Sequence, residues 1–88
     1  MRVAIVEDLK TEQEFLNHCL SRYCTEQLVP CEIKLFSTGT SLVETGDFEF
    51  DIIFLDIYMP GLNGIDVATK IREVNKDVLL IFTTTSVD

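Results

Sequence analysis

The chain has 88 residues, with 7 Lys plus Arg against 15 Asp plus Glu, so its formal net charge is −8. This length allows one domain at most, and an apolar fraction of 47% is enough to build a core and excludes a disordered tail. A field of this sign repels nucleic-acid phosphates and anionic lipid, so we expect no direct nucleic-acid or membrane contact by this segment. It attracts cations wherever its acidic side chains converge.

Targeting and redox signals are sparse. The longest unbroken apolar run, residues 78–82, is far too short to cross a bilayer, and no charged and then apolar leader precedes the first strand. Cys19, Cys24 and Cys31 are odd in number and follow no disulfide-framework spacing, so we expect reduced thiols. These features together predict a cytoplasmic protein.

The first half of the chain alternates between strand and helix patterns. Residues 3–6 form a short apolar run that ends at two acids, which indicates a buried strand. Residues 10–28 predict a helix, followed by a strand at residues 33–36 and a short helix through residues 42–43. The first helix carries an apolar stripe at three- to four-residue spacing, which we expect to pack into the core: Phe15, Leu16, Cys19, Leu20 and Tyr23.

The second half repeats the alternation. Residues 51–56 form the clearest strand, apolar on both faces and ending in Asp56. A loop containing Pro60, Gly61 and Gly64 leads into a helix at residues 65–74, and we expect both glycines to serve backbone turns. Residues 78–82 are a fourth buried strand, followed by hydroxyl-bearing residues.

Strict alternation of helices with two-sided apolar strands is typical of an α/β parallel sheet covered on both faces. The predicted strands recur about every 25 residues, a spacing at which a complete five-strand sheet of this class needs about 125 residues. We therefore expect residues 1–88 to be the N-terminal part of a single larger domain.

Acidic residues end two of these strands. Glu7 and Asp8 follow the first strand and Asp56 ends the third, and open α/β sheets bind ligands at these carboxyl ends. If the two strands are neighbours, three carboxylates converge there and require a cation, for which Mg²⁺ with its preference for oxygen ligands is suited. The alternative is that Glu7 and Asp8 only solubilise a strand end while Asp56 caps a loop.

Three segments carry a family resemblance: residues 3–8, residues 54–64 (Phe-Leu-Asp-Ile-Tyr-Met-Pro-Gly-Leu-Asn-Gly) and residues 81–84 (Ile-Phe-Thr-Thr). They resemble the receiver domains of two-component response regulators, and the ending of the fourth strand is most similar to the LytR/AgrA type, which usually carries a LytTR DNA-binding domain downstream. The resemblance implies a flavodoxin-like (CheY-like) doubly wound parallel sheet of order 2-1-3-4. The family's fourth helix, fifth strand and fifth helix have no counterpart here.

The resemblance also implies a role for each matching residue. Asp56 corresponds to the phosphoacceptor, and Glu7 and Asp8 to the acidic pair that holds Mg²⁺. The backbone carbonyl of Tyr58 would be a further magnesium ligand, and Thr84 corresponds to the switch hydroxyl that binds the phosphoryl group.

The function implied is that of a phosphoacceptor that receives a phosphoryl group from a histidine kinase, assists its own phosphorylation and is not a turnover enzyme. It would control a DNA-binding output domain outside this chain. The family's Lys after the fifth strand has no counterpart among Lys10, Lys34, Lys70 and Lys76, which puts retention of the phosphoryl group and switching in question. The alternative is a receiver-like interaction module that is not phosphorylated.

The missing elements would leave a strand edge and apolar surface uncovered, so we also expect a homodimer, formed by exchange of elements. Three other functions fit poorly. Residues 7–10 would repel the phosphate of a flavodoxin-type cofactor, and Tyr58 stands where a haloacid-dehalogenase-type phosphatase needs a second Asp. His18 and the cysteines match no usual zinc spacing.

Overall fold

The computed structural model describes residues 1–84, in which strands and helices alternate throughout. The elements are β1 (Arg2–Val6), α1 (Lys10–Glu26), β2 (Glu32–Phe36), α2 (Gly39–Thr45), β3 (Ile52–Asp56), α3 (Gly64–Val74) and β4 (Leu79–Thr83).

The four strands of the described range form one parallel sheet in the order β2-β1-β3-β4. The predicted doubly wound order is confirmed. Since β2 lies on one side of β1 and β3 on the other, the strand order reverses between β1 and β3, at the position where open α/β sheets bind ligands. In the register, Val6 pairs with Leu55, and Asp56 pairs with Thr83.

The main core lies between one face of the sheet and the helices α2 and α3. Alternate residues of β1 and β3 point into it, because side chains of a strand point to opposite faces in turn. Its fully buried members include Ala4, Val6, Leu42, Ile53, Leu55, Val67 and Ile71. The other alternate residues, such as Val3 and Ile5, are also fully buried, as expected for strands covered on both faces.

The apolar stripe of α1 is less buried than predicted. Phe15 and Tyr23 are mostly exposed and Cys19 is exposed, whereas the buried residues of this helix are Gln13 and Cys24. The core prediction was therefore wrong for Phe15, Cys19 and Tyr23. Within residues 1–84, α1 packs mainly on β1 and β2, and Phe15, Cys19 and Tyr23 lie on the part of the helix that this packing leaves exposed.

The expectation of three reduced thiols was wrong at two positions. Cys24 in the last turns of α1 and Cys31 just before β2 form a disulfide, with their Cα atoms 6.4 Å apart. The turn that joins α1 to β2 reverses the chain and brings the two side chains together, a proximity that cysteine spacing alone did not indicate. Cys19 is a free thiol on the exposed face of α1.

None of the helices within residues 1–84 combines the length and the apolarity that crossing a bilayer requires.

Candidate functional site

Three carboxylates converge at the carboxyl end of the sheet. One oxygen from each of Glu7, Asp8 and Asp56 lies within 4.8 Å of the other two. Glu7 is 7% exposed and Asp56 is 1% exposed, while Asp8 is half-buried. The structure therefore brings together the three acids that the sequence placed at two separate strand ends.

The register of the sheet produces this convergence. β1 and β3 are parallel neighbours, and the pair Val6 and Leu55 is followed directly by Glu7 and Asp56. Parallel strands end at the same edge of the sheet, so acids that are 49 positions apart in the sequence become neighbours.

Backbone amides orient two of the carboxylates. The Tyr58 amide donates to Oδ1 of Asp56 at 3.1 Å, and the Leu9 amide donates to Oε1 of Glu7 at 3.0 Å. Both bonds span two residues, so each acid is held by the loop that follows it. The loop after β3 is held in turn by the Ile57 amide, which donates to the Thr83 carbonyl at 3.0 Å.

The electrostatics of the site favour a bound cation. Burial and, to a smaller extent, the negative charge of Asp56 raise the pKa of Glu7 from its ordinary 4.5 to about 7, against the lowering effect of the hydrogen bond from the Leu9 amide. A positive ion would relieve this repulsion. Because the side-chain ligands of Glu7, Asp8 and Asp56 are all carboxylate oxygens, these three residues suit a hard divalent cation such as Mg²⁺ and not a soft metal that prefers sulfur.

A glycine allows α3 to start directly against the backbone of Asp56 and Ile57. The Gly64 amide donates to the Ile57 carbonyl at 3.1 Å, and a Cβ at position 64 would lie only 2.9 Å from the Ile57 Cα. The sequence placed Gly64 in a turn, but the structure shows that close approach is what requires it. Gly61 has φ +75°, as expected for a turn glycine.

Comparison with known proteins agrees with this geometry. The family of response regulator receiver domains matches residues 3–88. This chain belongs to that family. It is 37% identical over 87 residues to the sensory transduction protein LytT of Oceanobacillus iheyensis, a match that covers 96% of this chain and 34% of LytT. This chain thus spans about a third of that relative's length.

Solved receiver structures share the fold. The response regulator TrrA of Thermotoga maritima, in complex with Mg²⁺-BeF, is 29% identical with a TM-score of 0.80, and the match covers 97% of this chain and 70% of TrrA. The complex of the histidine kinase ThkA with TrrA matches at 30% identity and a TM-score of 0.77, over 99% of this chain and 71% of the other.

The roles predicted for the Thr84 hydroxyl and the Tyr58 carbonyl stay predictions. Thr84 is the first residue after β4 and is exposed, while its neighbour Thr83 is the residue in register with Asp56. Tyr58 lies in the loop of the receiver domain that follows Asp56, with an exposed side chain. Its amide contacts Asp56, whereas its predicted contribution to the site is its carbonyl.

Sequence reasoning missed Gln13, the buried polar residue of α1. Its side-chain amide donates to the backbone carbonyls of Phe36 and Glu7, at 3.1 and 3.4 Å. The available signal was its position in the first turn of α1, shortly after the acidic pair Glu7 and Asp8. A glutamine on a helix is usually solvated, so the pattern alone did not distinguish it.

Proposed function

We propose that this receiver domain accepts a phosphoryl group on Asp56 from a histidine kinase while Mg²⁺ is bound by the adjacent carboxylates. The observation that carries the proposal is the convergence of Glu7, Asp8 and Asp56 within 4.8 Å. The relatives support it, because TrrA is described both with Mg²⁺-BeF and with the histidine kinase ThkA.

Glu7, Asp8 and Asp56 would hold the magnesium ion, together with the backbone carbonyl of Tyr58. A bound magnesium ion would offset the charge of the carboxylates and of the phosphoryl oxygens. The residues present fit this ion because they supply oxygen ligands from two strand ends.

Asp56 would act as the nucleophile. An oxygen of its carboxylate would form a bond to phosphorus while the phosphorus–nitrogen bond of the kinase phosphohistidine breaks, which gives an acyl phosphate and releases the kinase histidine. Such transfers depend on placement and charge compensation more than on acid–base catalysis. The Tyr58 amide, which donates to Oδ1, restricts rotation of the Asp56 carboxylate and supplies part of this placement. Each chain accepts one group, so the domain is a phosphoacceptor that assists its own modification and not a turnover enzyme.

Acetyl phosphate and magnesium test the assignment directly. Intact-protein mass spectrometry should show the addition of one phosphoryl group to the unsubstituted chain and none to Asp56→Asn. Asp51→Asn is the matched control, because Asp51 lies just before the same strand at its opposite end, where its Oδ2 accepts from the Arg2 amide at 2.7 Å. The assignment is wrong if Asp56→Asn is still modified, or if Asp51→Asn abolishes the addition in a folded protein.

Thr84 would bind a phosphoryl oxygen through its hydroxyl once Asp56 is modified. In the same assay Thr84→Ala should lower the steady-state phosphorylated fraction several-fold, because a charge-assisted hydrogen bond contributes about 1.5–3 kcal/mol. Thr83→Ala, one residue away, is the control and should change the fraction little. The reverse ranking would transfer the role to Thr83.

The second candidate is a receiver-like interaction module that is not phosphorylated and that forms a homodimer. The observation that favours it is an exposed groove between α3 and β4, in which the apolar Ile65, Ala68, Leu80 and Phe82 lie beside the polar or charged Thr69, Arg72, Glu73 and Lys76. Magnesium binding without any phosphoryl addition from acetyl phosphate would favour this candidate over the first.

The proposal extends to the rest of the protein. Residues 1–88 would be the N-terminal part of a single receiver domain, which agrees with their matching 70% of the TrrA chain. The similarity to LytT supports a LytR/AgrA-type regulator whose receiver domain controls a downstream DNA-binding domain. With a net charge of −8, this segment itself would not contact nucleic acid.

We also propose a cytoplasmic location. The Cys24–Cys31 disulfide argues against this location, because disulfides are rare in the reducing cytoplasm, so cell fractionation with thiol alkylation is the direct test. Recovery in a periplasmic or secreted fraction would contradict the proposal.

A further inference from the structure

The buried side chain of Gln13 contacts the backbone of Glu7, the first residue of the acidic pair Glu7 and Asp8. Gln13 is 8% exposed and is one of two buried residues of α1. Its Nε2 donates to the Phe36 carbonyl at 3.1 Å and lies 3.4 Å from the Glu7 carbonyl. Phe36 ends β2 and Glu7 follows β1, so one amide group links the carboxyl ends of two strands.

A primary amide is an unfavourable choice for a buried helix position unless its hydrogen bonds are made. The buried helical positions of α3 carry apolar side chains such as Val67 and Ile71, which need no partner. The polar residue on α1 therefore indicates that a hydrogen-bond donor is used at this position.

The bonds of Gln13 restrain the segment that carries the acids. The Glu7 amide donates to the Phe36 carbonyl at 3.0 Å, and the Gln13 amide donates to the Leu9 carbonyl at 2.9 Å. Glu7, Asp8 and Leu9 are thus held at one end by β2 and at the other by the first turn of α1. The Gln13 side chain links these two anchors.

Such a restraint matters because the carboxylates repel one another. Glu7, Asp8 and Asp56 are within 4.8 Å, so a flexible Glu7–Asp8 segment would separate the charges and lose the arrangement that a small cation needs. Mg²⁺ demands near-ideal octahedral geometry, so its affinity is sensitive to how the backbone presents these oxygens.

We propose that Gln13 is a positioning residue of the magnesium site, whose side-chain amide holds the Glu7 backbone against β2 so that Glu7 and Asp8 remain directed at Asp56. This inference rests on the proposed function, since it takes magnesium as the ion that the three carboxylates bind. Gln13 itself does not touch the ion.

Calorimetric titration of the 88-residue chain with MgCl₂ tests the proposal. Gln13→Met keeps the length of the side chain and removes the donor. We expect it to weaken magnesium binding by about tenfold or more, the range found when partners that orient metal ligands are removed. Ile71→Val is the control, because it perturbs the core on α3 and should change the affinity less than twofold. Circular dichroism is used to choose a temperature at which both variants are folded.

The outcomes separate the two proposals. If the unsubstituted chain binds no magnesium, the proposed function fails and this inference fails with it. If the unsubstituted chain binds and Gln13→Met binds equally well, only the inference fails. A loss of affinity in Ile71→Val equal to that in Gln13→Met would also overturn it, because stability alone would then explain the effect.

A measurement on the unsubstituted chain covers the case in which Gln13→Met does not fold. In a ¹⁵N–¹H spectrum, the side-chain amide signals of Gln13 should shift during a magnesium titration with the same midpoint as the backbone amide of Asp8. Gln13 signals that stay unchanged while the Asp8 amide shifts would contradict the proposal.

Discussion

At the scale of single residues, the burial of Glu7 governs the chemistry of the site. Its side chain is 7% exposed, and the charge of Asp56 disfavours its ionised form. The pKa of Glu7 is about 7 in the folded chain and 4.5 as its ordinary value. Between pH 4.5 and pH 7, Glu7 is therefore protonated in the native state and ionised in the unfolded state. Stability linked to this group is fully present below pH 4.5 and is lost as the pH rises through about 7.

We therefore expect the free energy of unfolding of the magnesium-free chain to fall between pH 5 and pH 8, because the native state must lose the Glu7 proton. Urea denaturation in buffer with a chelator measures this. Glu7→Gln should flatten the profile, since its amide oxygen can still accept from Leu9 but does not titrate. Magnesium should restore stability at pH 8, and a Glu7→Gln profile as steep as that of the unsubstituted chain would refute this assignment.

Gly64 is a second residue of the site, where the nearby backbone leaves no room for a side chain. Gly64→Ala should destabilise the chain by about 1–3 kcal/mol, the usual range for overpacking, because the new Cβ meets the backbone of Asp56 and Ile57. It should also lower the rate of Asp56 phosphorylation. Gly46→Ala is the control, since a Cβ there has no neighbour within 4 Å and meets only the strain of φ +66°. Denaturant unfolding and the acetyl phosphate assay check both effects, and equal losses of phosphorylation in the two variants would contradict the argument.

At the scale of elements, the end of α1 is closed by a helix cap with an unusual residue. The Val29 amide donates to the Cys24 carbonyl at 2.9 Å and the Leu28 amide donates to the Thr25 carbonyl at 3.2 Å, which is the Schellman pattern. Leu28 occupies its left-handed position at φ 57°, where glycine is usual. The Cys24–Cys31 disulfide links the end of α1 to the residue before β2, so both the cap hydrogen bonds and the disulfide stabilise the chain reversal between α1 and β2.

Leu28→Gly should stabilise the chain by about 1 kcal/mol, because it relieves the left-handed strain. Leu28 is 88% exposed, so little apolar burial is lost. Leu28→Ala keeps a Cβ and should leave the free energy of unfolding within about 0.5 kcal/mol of the unsubstituted chain. Urea unfolding compares the three proteins, and a gain in Leu28→Ala equal to that in Leu28→Gly would show that strain is not the cause.

At the scale of the whole molecule, residues 1–84 form a four-stranded sheet whose edge at β4 carries exposed Leu79 and Phe82. Exposed apolar surface beside a strand edge favours association.

Analytical ultracentrifugation should detect a concentration-dependent dimer. Ile65→Lys, in the groove between α3 and β4, should weaken it by about tenfold or more, because a charge would be buried at the interface. Val74→Lys, exposed at the end of α3 and outside the residues that line the groove, should not. A monomer at all concentrations would rule out the dimer.

The sequence by itself determined the alternation of strands and helices, the parallel sheet and the acids at two strand ends. These features are local: a short apolar run such as residues 3–6, rich in β-branched residues and too short for a helix, favours a strand, and an acid directly after it lies at the strand's end. The family motif around Asp56 added the strand order, which the structure confirmed.

Only the tertiary structure decided which side chains meet. The bonds of Gln13 to Phe36 and Glu7, the Cys24–Cys31 disulfide and the close approach at Gly64 all join segments that no periodic pattern relates. The exposure of Phe15 likewise depends on which strands α1 packs against. The physical reason is that periodicity reports which face of an element is apolar, whereas distances between elements depend on how the whole chain packs.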